Sequence, residues 1–134
     1  MRYPDDFTDD LRRKPICGVL STAMIAKVSF AKATDVIKNN LMPHQKRHGG
    51  KTYYEQRLNA LRELGVPFRE VPVRKQTLQN WVKCATLTGK LYMVTTSKHV
   101  VTVQDELVAD QCEINYVDDH GARRCFVRHV VEIG

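Results

Sequence analysis

Three side chains have the types and surroundings for nucleophilic catalysis: Cys17, His99 and Asp110. A thiol attacks as the thiolate, so it needs a base beside it and a group that orients the base. Cys17 stands just ahead of an apolar helical pattern. There the unpaired N–H groups and the helix dipole favour negative charge and lower a thiol's pKa. Gly18 would let a substrate backbone approach the sulfur. By itself such a Cys-Gly helix start is more often a packing detail. His99 follows Thr95-Thr96-Ser97-Lys98 and opens the β-run Val100-Val101-Thr102-Val103, so it should be reachable at the mouth of a strand.

With Asp105-Glu106 as a two-residue turn, Leu107-Val108-Ala109-Asp110 returns antiparallel beside that run. Asp110 then lies opposite Val101 and one diagonal step from His99, where it would accept from the imidazole and hold its tautomer. A slip of one residue would put Asp110 on the other face of the sheet. A solvent-facing strand residue is the plain alternative.

The elements that must position these groups are legible in outline. Val19, Leu20, Ala23, Met24 and Ala26-Lys27-Val28 predict a helix over 18–28. A second is expected over 30–39, with Ser29 as N-cap and Ala31, Ala33, Val36 and Ile37 inward. Thr52 should cap a third, over 53–64, with Tyr54, Leu58, Leu61 and Leu64 at helical spacing and Gly65 at its C-terminus. The period then shortens toward two. Residues 68–73 form a strand candidate, and 77–82 a short helix capped by Thr77. The segments 91–95, 99–103, 107–116 and 125–133 are strand-like, with a turn at Asp118-Asp119-His120-Gly121. The fold class is therefore α+β, N-terminal helices packed on a C-terminal antiparallel sheet, in a single domain spanning residues 1–134.

Several stretches occur in an order and spacing that resemble the papain-like cysteine peptidases. They are Ile16-Cys17-Gly18-Val19-Leu20-Ser21-Thr22-Ala23-Met24, Leu61-Arg62-Glu63-Leu64-Gly65-Val66 and Thr77-Leu78-Gln79-Asn80-Trp81. With them stand Gly89-Lys90-Leu91-Tyr92-Met93-Val94, running into His99-Val100-Val101-Thr102-Val103, and Leu107-Val108-Ala109-Asp110. The chain looks most like the compact C39-type branch, the bacteriocin-leader peptidases and similar small domains. The resemblance covers most of the chain. It implies Cys17 as nucleophile, His99 as general base and then acid, and Asp110 as orienting group. The implied reaction is hydrolysis of a peptide or isopeptide bond, or an amide, through an acyl-thioester on Cys17, with no metal or organic cofactor. One departure stands out. Such enzymes usually carry a glutamine a few residues before the nucleophile to stabilise the oxyanion, and no Gln or Asn precedes Cys17 here. The Cys17 N–H, Arg12 or Arg13 would have to substitute. The alternative is a catalytically weak binding or inhibitory module that keeps the fold and acts on a protein partner.

The remaining features bound these readings. A net charge of +6 is concentrated in Arg12-Arg13-Lys14 and in Lys46-Arg47-His48 with Lys51. Neither stretch is long or interleaved with aromatics, so a solvated face is expected rather than a nucleic-acid track. A nucleic-acid-associated role remains a third alternative on charge alone. No apolar run reaches the roughly 20 residues of a membrane span. The acidic-then-basic start has no apolar leader region, so a cytoplasmic protein is expected; a protein or peptide substrate is what the resemblance implies. Cys84, Cys112 and Cys125 read as buried small hydrophobes, too widely spaced for a zinc site. His44, His48 and Gly49-Gly50 read as a solvated loop, with a substrate lid as the alternative. His120 and His129 read as surface or edge residues, and Trp81 as core.

Overall fold

Valine-rich segments in the second half of the chain set the centre of the molecule. The computed structural model describes residues 1–44 and 51–134. Within these, a six-stranded antiparallel sheet has the order β1-β6-β2-β3-β4-β5. The strands are β1 (Phe68–Val71), β2 (Tyr92–Thr96), β3 (Val100–Gln104), β4 (Leu107–Ala109), β5 (Ile114–Tyr116) and β6 (Val127–Ile133). Antiparallel sheets often leave one face to water, which makes their strands alternate in polarity. The central strands β2 and β3 are buried on both faces instead. Their near-continuous apolar composition follows from that.

Four helices cover the two faces: α1 (Cys17–Ala26), α2 (Phe30–Asn39), α3 (Tyr54–Glu63) and α4 (Leu78–Ala85). Tyr92, Val94, Val101, Val103, Val108 and Val130 pack with Leu78, Trp81 and Val82 of α4. Trp81 meets the Tyr92 ring edge-on at 5.1 Å. The alternate residues Met93, Val100 and Val131 meet Ile25, Leu58 and Leu61, from α1 and α3. Helix α2 closes over α1 through Ala33, Val36 and Ile37 against Val19 and Ala23. Helix α1 is buried almost all round, from Gly18 to Ile25. Such a helix belongs in the core rather than on the surface.

The α+β arrangement is thus the one expected, helices first and antiparallel sheet second. Ser29 caps α2 by accepting from the Lys32 N–H, and Thr77 caps α4 by accepting from the Asn80 N–H. The β3–β4 register is also as read, Thr102 opposite Ala109 and Val103 opposite Val108. Asp105 and Glu106 between them both take positive φ, 49° and 68°. That is the mirror-image turn whose twist suits a two-residue hairpin. The Asp105 carboxylate steadies it by accepting from the Gly89 N–H at 2.7 Å.

Five expectations need correcting. The segment 107–116 is two strands rather than one, because Asp110 turns the chain between β4 and β5. Thr52 does not cap α3: the helix starts one residue later, where the Gln56 side chain accepts from the Tyr53 N–H. Ala31 is exposed rather than inward, and the Asp6 carboxylate accepts from its N–H. Cys84 and Cys112 are exposed and Cys125 half-buried, so none is a sealed hydrophobe. Asp118-Asp119 lie in a 3-10 turn, Val117–Asp119, and His120 behind it is fully buried. The basic run Lys46-Arg47-His48 and the Gly49-Gly50 pair lie outside the described residues.

Candidate active site

Cys17 is the first residue of α1, held at the helix tip by the Ile16 junction after Pro15. No side chain caps this end of the helix, so its first-turn N–H groups add positive potential around the sulfur. Gly18 has a specific packing reason. A Cβ there would overlap the Thr52 hydroxyl and approach Arg57 Cδ to 3.2 Å. The bare backbone admits α3 to the helix tip rather than a substrate.

The imidazole arrives from the sheet. A tight turn after β2 holds the His99 backbone, the Thr96 N–H donating to His99 O at 2.7 Å. Within the same turn the Thr96 hydroxyl accepts from the His99 N–H at 3.0 Å. From this turn the ring reaches across the β3 mouth to the neighbourhood of the Cys17 thiol, close enough for each to shift the other's titration. Its Nε2 faces Asp110 Oδ2 at 3.5 Å. Cys17, His99 and Asp110 therefore do meet at one place, in that order.

Asp110 is 4% exposed and anchored from several sides. Its Oδ1 accepts from the N–H groups of Cys112 at 2.8 Å and Glu113 at 3.0 Å. The N-terminal segment straps the same turn from outside. The Tyr3 hydroxyl donates to Asp110 O at 2.6 Å, and Arg12 Nη1 donates to Gln111 O at 2.8 Å. In return the Gln111 amide donates to Arg12 O and Lys14 O. Arg12 is thereby committed to this strap, with its guanidinium over the Tyr3 and Phe7 rings. It is not available as a substitute for the missing glutamine.

Two further groups belong to the site and were not singled out in the sequence. His120, read as a surface residue, is fully buried behind Asp110. Its Nδ1 accepts from the Ala122 N–H at 2.9 Å, which places the ring proton on Nε2. That Nε2 lies 3.6 Å from Asp110 Oδ2 and, among the described residues, has no hydrogen-bond partner. Two imidazoles thus flank one carboxylate oxygen, His99 from the open side and His120 from the sealed side. Burial of Val117 and Ala122 on either side turns the Asp118–Gly121 corner inward. The second group is Arg57 on α3, 2% exposed. It lies one turn before Leu61 on the inward stripe of the helix. A charge in that stripe was the available signal.

The electrostatics follow from these contacts. Burial alone would raise the Cys17 thiol. The His99 hydrogen bond, the Val100 N–H and the charges of His99 and Arg57 outweigh it and hold the thiol below its ordinary value. His99 is raised, first by its bond to Cys17 and then, against burial and Lys98, by the Asp110 charge. Both shifts run in the direction of thiolate with imidazolium. Arg57 is pushed down to about 10 by burial, with Cys17 and Tyr54 opposing. Cys112, exposed and without a base, goes the other way, raised by partial desolvation and by Asp110.

Among the described residues no group of three or more His, Cys, Asp or Glu side chains converges as metal ligands would. Nor, among them, is any helix long and apolar enough to cross a membrane. Comparison of the chain with known family models and with curated proteins found no match to either.

Proposed function

We propose that this chain is a cysteine peptidase or amidase of papain-like type, acting on a protein or peptide substrate. The observation that carries the reading is the convergence of Cys17 at the tip of α1 with His99, whose Nε2 lies 3.5 Å from the buried Asp110 carboxylate. The Cys17 thiolate attacks the substrate carbonyl carbon, and its lone pair forms the C–S bond. The carbonyl π electrons move to oxygen. As that oxyanion collapses, the C–N bond breaks and the His99 imidazolium gives its proton to the leaving amine. Neutral His99 then takes a proton from water, whose oxygen attacks the thioester. Collapse releases the acid, restoring thiolate and imidazolium. Asp110 holds the ring through Nε2 during both transfers. The four unpaired cysteines suit a reducing compartment such as the cytoplasm.

The test is cleavage of a mixed peptide library, followed by mass spectrometry, with native protein and with Cys17→Ala. Fragments from the native protein alone, and hydroxylamine release of an acyl group from Cys17, are the expected results. No cleavage by either protein contradicts the reading. One feature favours a second, a partner-binding module with weak turnover: no Gln or Asn precedes Cys17. Loss of an oxyanion donor costs about a hundredfold or more in rate. Under that reading Cys17→Ala would leave partner binding and its biological effect intact.

A further inference from the structure

Arg57 is a buried cation at neutral pH, and among the described residues no carboxylate pairs with it. Its guanidinium is held by neutral oxygens only. Nη1 donates to the Thr52 hydroxyl at 2.9 Å and to Thr52 O at 3.3 Å, and Nη2 donates to the Thr95 hydroxyl at 2.7 Å. Its Nε is sealed from water with no acceptor. The Tyr54 ring lies 5.9 Å from the guanidinium carbon and adds only a weak cation–π contact. An uncompensated buried charge is costly, and arginine escapes the cost poorly by losing its proton. The groups close enough to carry a balancing negative charge are the Cys17 sulfur and the Tyr54 hydroxyl, and of the two the thiol ionises more readily. It sits at the same helix tip where Arg57 Cδ and Thr52 crowd the bare backbone of Gly18.

We propose that Arg57 is a positioning residue whose fixed charge keeps Cys17 ionised, with the thiolate serving as its missing anion. The Cys17 sulfur then faces two cations of different kinds. His99, next to Lys98 and backed by Asp110, is lost as a charge when the imidazolium deprotonates. Arg57 keeps its charge well above neutral pH. The site thereby retains a thiolate where the imidazole pair alone would fail. The same cation, unlike the absent glutamine, comes from downstream of the nucleophile. This inference rests on the reading of Cys17 as the nucleophile, but its readout is ionisation and not turnover.

The experiment measures the pH dependence of Cys17 alkylation by iodoacetamide in a His99→Ala background, which removes the titrating partner. Adding Arg57→Met should raise the Cys17 midpoint by about one pH unit, while Arg57→Lys should leave it within a few tenths. Circular dichroism checks that each variant is folded. Should Met at 57 prevent folding, Arg57→citrulline, isosteric and neutral, makes the same comparison in chemically synthesised protein. An unchanged midpoint on neutralising residue 57 overturns the inference, even if the native protein cleaves peptides. A raised midpoint in a protein that cleaves no peptide keeps it and removes the proposed function instead.

Discussion

The two faces of the sheet are built from different materials. On the α4 face, Leu78, Trp81 and Val82 meet Tyr92, Val94, Val101 and Val103 in a cluster of apolar side chains. On the α1–α3 face the buried residues include a ladder of polar ones. The Ser21 and Thr102 hydroxyls bond each other at 2.8 Å, Arg57 reaches Thr95, and the Gln56 amide donates to Ile37 O at 3.0 Å. Cys17 stands at the end of this polar face. The drier face fixes the sheet mainly by packing, with the Tyr92 hydroxyl accepting from the Leu87 N–H. A polar face fixes directions as well, because each buried donor must find its acceptor. The chemistry sits where direction is specified.

That contrast can be broken at several points. The largest effect is expected from Cys17→Ala, which should lower peptide cleavage by about 10⁴-fold or more while the protein stays folded, as removal of a nucleophile does elsewhere. Steady-state rates with thermal melting check both halves. On the dry face the pattern should invert. Trp81→Ala should cost about 3–5 kcal/mol of stability, read by urea denaturation, yet leave the pH midpoint of Cys17 alkylation where it was. A moved midpoint would mean that the two faces are not separable.

Asp110→Ala should lower turnover by about 10–100-fold through a misaligned His99, roughly 1.4–2.7 kcal/mol at the barrier. Asp110→Asn should not restore it, because the one amide oxygen is taken by the Cys112 and Glu113 N–H groups and the NH2 is left facing the two imidazoles. Recovery of turnover in Asp110→Asn would argue that neither the second acceptor oxygen nor the charge is what Asp110 supplies. The smallest effect sharpens the polar ladder. Ser21→Ala leaves the Thr102 hydroxyl buried without its partner, so about 1–2 kcal/mol of stability should go. Replacing both residues by apolar groups of similar shape should recover part of it.

The pH dependence has a definite sign. Cys17 is lowered in the folded protein, so its contribution to stability is present above the unfolded thiol's pKa and is lost as pH falls through the folded value. His99 is raised, so its contribution is present below the unfolded imidazole's pKa and is lost as pH rises through the folded value. Turnover that needs thiolate and imidazolium together is therefore bell-shaped. Its alkaline limb should lie above 6.5, the ordinary histidine value. An alkaline limb at or below that value would show that His99 is not coupled to the sulfur.

How much of this was legible in the sequence follows from which interactions are local. The Asp105–Glu106 hairpin fixes the β3–β4 register over a few residues, so the approach of Asp110 to His99 was readable in advance. The Ser29 and Thr77 caps are equally local. The break between β4 and β5 was not readable from composition. The chain there has no Gly or Pro to mark a turn, and the Asp110 side chain makes it by capping the Cys112 and Glu113 N–H groups. His120 was missed for a different reason. A turn of Asp-Asp-His-Gly looks solvated, and only the burial of Val117 and Ala122 draws its histidine inward. Arg57 depends on α1, α3 and β2 meeting, a contact with no short-range signature.

The most direct measurement is the rate at which each of the four cysteines reacts with iodoacetamide near neutral pH, mapped by mass spectrometry. Cys84 and Cys112 are exposed, whereas Cys17 is partly buried, so accessibility alone would rank Cys17 behind them. The proposed ion pair with His99 requires the reverse: Cys17 labelled well ahead of the other three, with the advantage lost in His99→Ala. Labelling of Cys17 at or below the rate of Cys84 and Cys112 would contradict it.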